Sequence, residues 1–281
     1  MTDLDLVSWN VLAAPWAGPA WYPDGMDPEV LDRVVRADRV AARLRAMAPA
    51  VACLQETTPP DLAAIIERIG DGWESHTASN HPTFWTNWLG ADTEWEPNGT
   101  AVVWDPSRLV AIDRGVIDLA DHGNTATWVQ FEALGGDDVP LLVVSIHLDS
   151  DNPARRRTEV PALVDRVKSH ARVVIAGDYN EDTLTSDLVD ELFALGFVDA
   201  AALGECREPT HPVASPRDDW KSVAIIDHVL VRGLTVERAA VHDVGTWPIE
   251  LPAARLEELL RRTGSDHLAV SVRLQSPDST A

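Results

Sequence analysis

Short apolar runs alternate with helical segments along most of the chain, and this alternation restricts the fold more than any other feature. Eight runs are apolar enough to be strands, and they comprise residues 4–11, 51–55, 100–104, 127–132, 141–147, 172–176, 225–231 and 268–274. Four segments have helical spacing, at residues 31–47, 61–69, 153–171 and 186–195. Strands that are apolar on both faces need cover on both faces. The pattern therefore predicts an α/β fold of layered sheets covered by helices.

The chain has 281 residues, enough for one large α/β domain, and no long linker, short repeat or low-complexity block divides it. We predict a single domain over residues 1–275 and a disordered tail at 276–281. No apolar run approaches the roughly 20 residues of a membrane helix, and the N-terminus lacks the basic and apolar regions of a secretory signal. Only two cysteines occur, Cys53 and Cys206, so no disulfide framework is indicated and a cytoplasmic location is expected.

Six of the predicted strands carry, begin or end in polar residues that are unusual beside such apolar neighbours. The six segments are Trp9-Asn10-Val11, Leu54-Gln55-Glu56, Ser145-Ile146-His147-Leu148-Asp149, Gly177-Asp178-Tyr179-Asn180, Ile226-Asp227-His228 and Ser265-Asp266-His267. Each has an ordinary explanation when taken alone: Asn10 as a hydrogen-bonded core amide, for example, or Glu56 as a helix cap. A buried polar group is costly unless it is paired or binds a metal, and open α/β sheets place their sites at strand ends. Six such segments in one chain therefore predict a functional site.

The residue types in these segments favour metal-assisted chemistry on a phosphate ester. Carboxylates and an amide carbonyl are hard oxygen ligands that suit Mg²⁺ or Mn²⁺. An imidazole paired with a carboxylate is a common way to orient and charge a group beside a phosphate. The sequence has no HxxEH or CxxC pattern, no GxxxxGK[ST] phosphate loop and no GxSxG motif, which argues against zinc enzymes, NTP-driven motors, kinases and serine hydrolases.

The formal net charge of −22 opposes long-range attraction to duplex nucleic acid and to anionic membranes. Most of this charge is explained by solubility. A phosphate-ester substrate is still compatible with it, because a bound metal can locally invert the sign of the field. We therefore expect no preference for duplex DNA, no membrane association and no obligate protein partner.

Taken together and in this order, the six segments resemble the endonuclease/exonuclease/phosphatase superfamily, whose members have the DNase I-like fold. The resemblance spans residues 8–267, and Asn98-Gly99-Thr100-Ala101-Val102 also looks like the family's middle strand. It implies a four-layer sandwich in which two packed mixed β-sheets are flanked by helices. It also implies hydrolysis of a phosphate ester by direct attack of water, with Mg²⁺ or Mn²⁺ as cofactor and no covalent enzyme intermediate.

The resemblance implies metal-binding roles for three residues, and two others are candidate substrate contacts. Glu56 would be the principal metal ligand, Asn10 would lie close to the metal, and Asp266 would help to hold the metal site. Asn98, at the start of the middle strand, is a candidate substrate contact. Arg155 is the other, because it follows the third segment and an arginine there can reach a phosphate. It belongs to a run of three arginines, 155–157, and such a run is more often a solvated helix face.

The catalytic roles that the resemblance implies fall on five residues. Asp178 and Asn180 would position or activate the attacking water and contact the phosphate. His147 would donate a hydrogen bond to a non-bridging phosphate oxygen. Asp227 would orient His267, which would act either as general base or as a cationic phosphate contact.

His228 departs from the family pattern, because many members have tyrosine after the aspartate of this segment. Successive side chains of a strand point to opposite faces, so His228 points away from the face that carries Asp227. We predict that His228 is structural.

The substrate is less well defined than the chemistry. The chain contains 11 tryptophans, several in segments beside the predicted strand ends: Trp16, Trp21, Trp85, Trp88, Trp95 and Trp220. Exposed tryptophans can stack on a base, although we favour packing of these loops onto the body of the domain. The sequence predicts a hydrolase of a small or single-stranded nucleotide phosphodiester. The alternatives are a phosphatase of a phosphorylated small molecule, such as an inositol phosphate, a sphingomyelinase-like lipid phosphodiesterase, and a catalytically dead binding domain.

Overall fold

Two mixed sheets of six strands each form the centre of the molecule. The computed structural model describes residues 3–18, 22, 25–81, 96–121, 123–134, 138–203, 207–212, 224–244 and 253–276. The strands are β1 (Leu4–Asn10), β2 (Val51–Thr57), β3 (Glu74–Ser79), β4 (Gly99–Trp104), β5 (Ala111–Asp118), β6 (Thr125–Phe131), β7 (Leu141–His147), β8 (Arg172–Asp178), β9 (Val198–Asp199), β10 (Asp227–Arg232), β11 (Thr235–Val241) and β12 (Val270–Gln275). The helices are α1 (Arg33–Met47), α2 (Pro59–Ile69), α3 (Pro153–Val167), α4 (Asp190–Ala194), α5 (Ala200–Leu203) and α6 (Ala253–Thr263), with a 3₁₀ turn at Pro28–Leu31.

Each sheet has one parallel pair of strands near its middle. The first sheet has the order β11-β12-β1-β2-β4-β3, and the second has the order β5-β6-β7-β8-β10-β9. β1 and β2 run parallel in the first sheet, as β7 and β8 do in the second, whereas their outer neighbours are antiparallel. The carboxyl ends of each parallel pair therefore lie at one edge of its sheet, which is where α/β sheets place their sites.

Three apolar layers hold the sheets and helices together. Between the sheets, the rings of Trp104 and Phe131 meet edge to face, with 5.6 Å between centroids. Helices α1 and α2 cover the outer face of the first sheet, as Leu44 and Ile65 show. Helix α3 covers the outer face of the second sheet through residues such as Leu163. This helix–sheet–sheet–helix arrangement confirms the predicted four-layer sandwich, and none of the described helices combines the length and apolarity needed to cross a bilayer.

Two predicted helices are shorter in the structure. The segment predicted as a helix over 186–195 is helical only in α4, and the preceding residues form turns in which the amides of Thr185 and Ser186 donate to the carbonyl of Asp182. Leu188 and Val189 are apolar because they are buried in this turn region. Their positions fit the helical spacing of the sequence although they do not belong to a helix. Helix α3 begins at Pro153 after the Asn152 cap, as predicted, but ends at Val167 instead of residue 171.

The sequence did not predict the edge strands β3, β5 and β11. Each is largely exposed or half-buried along its length, so none shows the apolar run by which the central strands were recognised. Five of the tryptophans singled out from the sequence lie outside the described residues: Trp21, Trp85, Trp88, Trp95 and Trp220. Cys206 and residues 277–281 of the predicted tail also lie outside them.

His228 lies on the far side of β10 from Asp227 and forms a buried pair with Asp199. The distance from His228 Nδ1 to Asp199 Oδ2 is 2.7 Å, and Thr183 Oγ1 donates to the same carboxylate oxygen at 2.9 Å. Burial opposes the charge on His228, but the hydrogen bond and the charge of Asp199 outweigh it and raise the pKa of the imidazole. This geometry agrees with the structural role predicted for His228. Since Thr183 belongs to the loop after β8, the pair also anchors that loop.

Replacing His228 with leucine should destabilise the fold strongly. Asp199 is fully buried, and removal of its cationic partner leaves a buried charge, at an expected cost of about 3–5 kcal/mol in the free energy of unfolding. Urea unfolding of wild type and His228→Leu measures the difference. The matched control is the double variant Asp199→Asn with His228→Leu, which removes the buried charge and should recover most of the loss. A single variant as stable as wild type would contradict the structural role.

Candidate active site

The two sheets bring the polar ends of six strands to one edge of the sandwich. β1 and β2 carry Asn10 and Glu56 to this edge, and β7 and β8 carry His147 and Asp178 to the matching edge of the second sheet. Asp227 opens β10 and is the antiparallel partner of Asp178. Because β12 runs antiparallel to β1, the loop that precedes β12 reaches the same edge.

Backbone conformations that are rare for ordinary residues occur at this edge. Leu12, Glu56 and Asn180 have φ values of 56°, 56° and 52°, in the left-handed region that disfavours residues with a Cβ. Glu56 lies where the pairing of β2 with β4 shifts register, and such bulges re-aim side chains. A Cβ on Gly177 would lie 2.0 Å from the carbonyl oxygen of Ile146, so glycine permits the close approach of β7 and β8 just before Asp178.

Asp178 is the centre of the cluster. Its Oδ2 accepts a hydrogen bond from Asn10 Nδ2 at 3.1 Å, and it lies 3.6 Å from His147 Nε2 and 3.7 Å from His267 Nε2. The backbone amide of Asn180 donates to Oδ1 at 2.8 Å. The residue is only 1% exposed. One carboxylate oxygen thus faces an amide and two imidazoles drawn from two different strands and a loop.

Glu56 is a half-buried carboxylate held by neutral donors. Its Oε1 accepts from Asn10 Nδ2 at 3.0 Å, and its Oε2 accepts from the backbone amide of Ala13 at 3.0 Å. The amide oxygen of Asn10 accepts from the backbone amide of Leu12, so the Asn10 side chain bridges the two carboxylates through its NH₂ group. Burial raises the pKa of Glu56, and the charge of His147 only partly offsets it. Within the described part of the chain, no lysine or arginine pairs with Glu56.

Asp227 and His267 form a buried pair. The distance from Asp227 Oδ2 to His267 Nδ1 is 2.8 Å. Burial opposes both charges, but their mutual attraction outweighs it, so the pKa of Asp227 is lowered and that of His267 is raised well above its ordinary value. The charges of Asp178 and Asp266 raise the pKa of His267 further. In the metal-free protein, His267 is therefore an oriented imidazolium ion whose Nε2 points toward Asp178.

The loop that carries His267 is tied to β1. Ser265 Oγ donates to the carbonyl of Asn10 at 2.6 Å and accepts from the amide of His267 at 3.1 Å. Trp9 Nε1 donates to the carbonyl of His267 at 3.0 Å. Arg36, which is buried, donates to the carbonyls of residues 11, 12 and 264. These bonds fix the histidine relative to Asn10.

A family model described as Endonuclease/Exonuclease/phosphatase family matches residues 7–267. The chain belongs to this family. All six polar segments lie within the matched residues, and only short flanks of the sequence lie outside them. Family membership indicates a hydrolytic phosphoesterase, and enzymes of the family generally depend on a divalent metal.

Solved structures of family-like proteins share the fold at low sequence identity. The endonuclease/exonuclease/phosphatase from Bacteroides vulgatus has a TM-score of 0.72 and 16% identity, covering 99% of this chain and 100% of its own. ANGEL2, described as a 2′,3′-cyclic phosphatase, has a TM-score of 0.69 and 13% identity, with 97% and 95% covered. D. rerio TDP2, solved with a single-strand DNA product, has a TM-score of 0.66 and 18% identity, with 98% and 100% covered. No curated protein gives a significant sequence match.

Asp266 supplies a second carboxylate beside Glu56. The hydroxyl of Tyr22 donates to Asp266 Oδ2 at 2.9 Å, and Asp266 forms no ion pair with lysine or arginine among the described residues. The negative charge of Asp266 contributes to the raised pKa of Glu56, as expected for two carboxylates without a cation between them. Two such carboxylates beside an amide fit a hard divalent cation such as Mg²⁺ or Mn²⁺.

Asp178, Asp227 and His267 form another group with metal-ligand spacing, since one ligand atom from each lies within 4.8 Å of the others. The hydrogen bond between Asp227 and His267 occupies this group, so a metal there would have to displace it. Among the described residues, Glu56 accepts hydrogen bonds from Asn10 and Ala13 and Asp266 accepts one from Tyr22, all neutral donors, so a metal bound by these two carboxylates would not have to break an Asp–His pair.

The other predicted site residues lie at different depths. The side chain of Asn180 is attached to the cluster loop, because its Nδ2 donates to the carbonyl of Leu148 at 3.0 Å. Asn98 is 2% exposed and its Nδ2 has no partner among the described residues. Arg155 is not brought to the cluster by any of its described contacts: its guanidinium lies 3.4 Å from Asp149, and 40% of the side chain is exposed.

Sequence reasoning missed two residues of the cluster, Tyr22 and His211. The ring of His211 lies against that of His267, with 4.6 Å between centroids, and its Nε2 is 3.9 Å from Asp266 Oδ2. Burial lowers the pKa of His211, and repulsion by His267 lowers it further, so the ring is neutral near pH 7. Neither residue lies beside a predicted strand end, so the rule that located the other residues did not reach them.

Proposed function

We propose that this protein is a divalent-metal-dependent phosphodiesterase that acts on a small or single-stranded nucleotide substrate by direct attack of water. The observation that carries the proposal is the position of Asp178, which faces Asn10, His147 and His267 and shares the Asn10 amide with the carboxylate of Glu56. Such a cluster combines a candidate water-orienting carboxylate, phosphate-binding donors and a place for a metal. A dead binding domain has no need of this complete set.

Glu56 and Asp266 would hold the metal, with Asn10 fixing Glu56 in place. A bound divalent cation would neutralise charge on the phosphate and stabilise the leaving oxygen. The hard oxygen ligands support Mg²⁺ or Mn²⁺ over softer metals.

The chain's own groups divide the remaining work. Asp178 would orient the attacking water and accept its proton, with Asn180 as a second polar contact for water or phosphate. His147 would donate a hydrogen bond to a non-bridging oxygen. His267, held as an imidazolium by Asp227, would stabilise the charge that grows on the phosphoryl group in the transition state. Asn98 and Arg155 remain proposed substrate contacts. The burial of Asn98 argues against the first, and the pairing of Arg155 with Asp149 argues against the second.

The net charge of −22 supports a small or single-stranded substrate over duplex DNA. Two structural neighbours favour nucleotide diesters: ANGEL2 is described as a 2′,3′-cyclic phosphatase, and TDP2 was solved with a single-strand DNA product. The same acidity favours, as a second candidate, a phosphatase of a phosphorylated small molecule. A lipid phosphodiesterase is the least supported of the hydrolases, and a cytoplasmic location remains a prediction.

The function is tested by hydrolysis of a diester and a monoester under controlled metal. Purified protein is treated with EDTA and supplied with Mg²⁺ or Mn²⁺, and release from bis(p-nitrophenyl) phosphate and p-nitrophenyl phosphate is measured. We expect metal-dependent release, with the diester preferred about tenfold or more, since the specificity of a site is a difference in transition-state binding. A 5′-labelled oligonucleotide, single-stranded or annealed, and adenosine 2′,3′-cyclic phosphate extend the comparison.

Each outcome of this comparison distinguishes two functions. Preference for the monoester would replace the phosphodiesterase by the small-molecule phosphatase. Preference for the annealed oligonucleotide would contradict the single-strand prediction. Hydrolysis of none of these esters in either metal, by protein that is folded, would overturn the proposal.

A further inference from the structure

His211 lies between two members of the cluster and has no role in the function proposed above. Its ring packs at an angle of 46° against that of His267, with 4.6 Å between centroids, and its Nε2 lies 3.9 Å from Asp266 Oδ2. The side chain is 17% exposed, so it is largely enclosed and still reaches solvent.

The backbone fixes His211 to both segments that supply its neighbours. The amide of His211 donates to the carbonyl of Ala224 at 3.0 Å, and the amide of Ala224 donates back to the carbonyl of His211 at 3.0 Å. Thr210 Oγ1 accepts from the amide of Asp227 at 3.0 Å, and the carbonyl of Thr210 accepts from the amide of Leu268 at 2.7 Å. The imidazole is therefore positioned by the same strand and loop as Asp227 and His267.

The ring nitrogens of His211 make no hydrogen bond to any residue that the structure describes. His228 bonds Asp199 at 2.7 Å, and His242 Nε2 lies 2.7 Å from Ser271 Oγ. By contrast, no hydrogen bond among the described residues engages the ring of His211, because 3.9 Å to Asp266 exceeds hydrogen-bonding range. The side chain reaches solvent, so these nitrogens can be satisfied by water or by a ligand that enters the cluster.

We propose that His211 is a further substrate-contacting residue, whose ring donates a hydrogen bond to an oxygen of the bound phosphate beside His267. A phosphate that contacts His267 and a metal held by Asp266 lies next to both neighbours of His211. The inference rests on the proposed function and extends it, because it adds an imidazole to the phosphate site that none of the six strand-end segments contains.

The test uses inorganic phosphate, the simplest probe of this contact, as an inhibitor of diester hydrolysis. His211→Phe keeps a ring of similar size and removes the donor, whereas His211→Gln keeps an N–H group. We expect the inhibition constant for phosphate to rise about 10- to 100-fold in His211→Phe, as for loss of a hydrogen bond to a charged group, with an equal loss in kcat/KM. His211→Gln should recover part of both losses, and His242→Gln, a histidine outside the cluster, should match wild type.

A second readout separates substrate contact from other roles. Calorimetric titration of Mn²⁺ in the absence of phosphate should give the same affinity for His211→Phe as for wild type. A weaker Mn²⁺ affinity would make His211 a metal ligand, and an unchanged inhibition constant would make it a packing residue; either result overturns the inference. If His211→Phe fails to fold, His211→Ala is measured in its place. Active wild type with unaffected variants would refute only this inference, whereas inactive wild type would refute the proposed function.

Discussion

Glu56→Gln should abolish metal-dependent hydrolysis while leaving the fold intact. Glutamine keeps the size of the side chain and can still accept a hydrogen bond from Ala13, but it removes the charge that attracts a cation. Because the metal neutralises the phosphate and stabilises the leaving oxygen, we expect kcat/KM to fall by about 10³-fold or more. Initial rates at saturating Mg²⁺ or Mn²⁺ measure the loss.

The stability of the same variant provides an independent check. Glu56 is a half-buried carboxylate with which no lysine or arginine among the described residues pairs, and its partial burial raises its pKa, so glutamine should not lower the free energy of unfolding. Metal should raise the Tm of wild type, because a ligand that binds only the folded state stabilises it, and it should not raise that of Glu56→Gln. The matched control is Glu67→Gln, since Glu67 has 82% of its side chain exposed. Near-normal turnover by Glu56→Gln would remove Glu56 from the metal site.

The strand-end residues of the cluster were predictable because apolar neighbours make a polar residue conspicuous. Asp178 ends a strand that is buried throughout, so its carboxylate had to be paired, coordinated or functional. The sequence alone did not show how these residues meet. Two parallel pairs of strands, one in each sheet, place Glu56 and Asp178 each within hydrogen-bonding distance of Asn10.

Residues outside such apolar runs were not predictable in the same way. His211 lies in a segment without periodicity and is placed by a backbone bridge to Ala224, which is a contact between loops. Tyr22 likewise reaches Asp266 from a loop. Arg36 is different, since Val40 and Leu44 follow it at intervals of four and define the buried face of α1. The helical spacing places Arg36 on the buried face of α1. Its charge there is explained only by the three backbone carbonyls to which its guanidinium donates.

Asp227 is hydrogen-bonded to His267 and is proposed to orient it, so the two residues should behave as one unit in kinetics. We expect His267→Gln to lower kcat by about 10²- to 10⁴-fold, the usual contribution of a positioned proton-transfer or charged group. Asp227→Asn should cost nearly as much, because it removes the charge that keeps the ring protonated and weakens the hydrogen bond that orients it. The double variant should then be little worse than His267→Gln alone, since effects within a unit are not additive. Asp165→Asn, at an exposed aspartate, is the matched control.

The pH profile of Asp227→Asn separates the two roles left open for His267. Asp227 raises the pKa of His267, so its replacement lowers that pKa. If the imidazolium is the active form, the residual activity of Asp227→Asn is lost at lower pH than that of wild type, and the alkaline limb moves toward acid. If the neutral imidazole is the general base, the acid limb moves toward acid and activity at low pH improves relative to the maximum. The geometry favours the first result, because Asp178, Asp227 and Asp266 all stabilise the charged ring. Additive losses in the double variant would instead show that Asp227 acts on the substrate independently of His267.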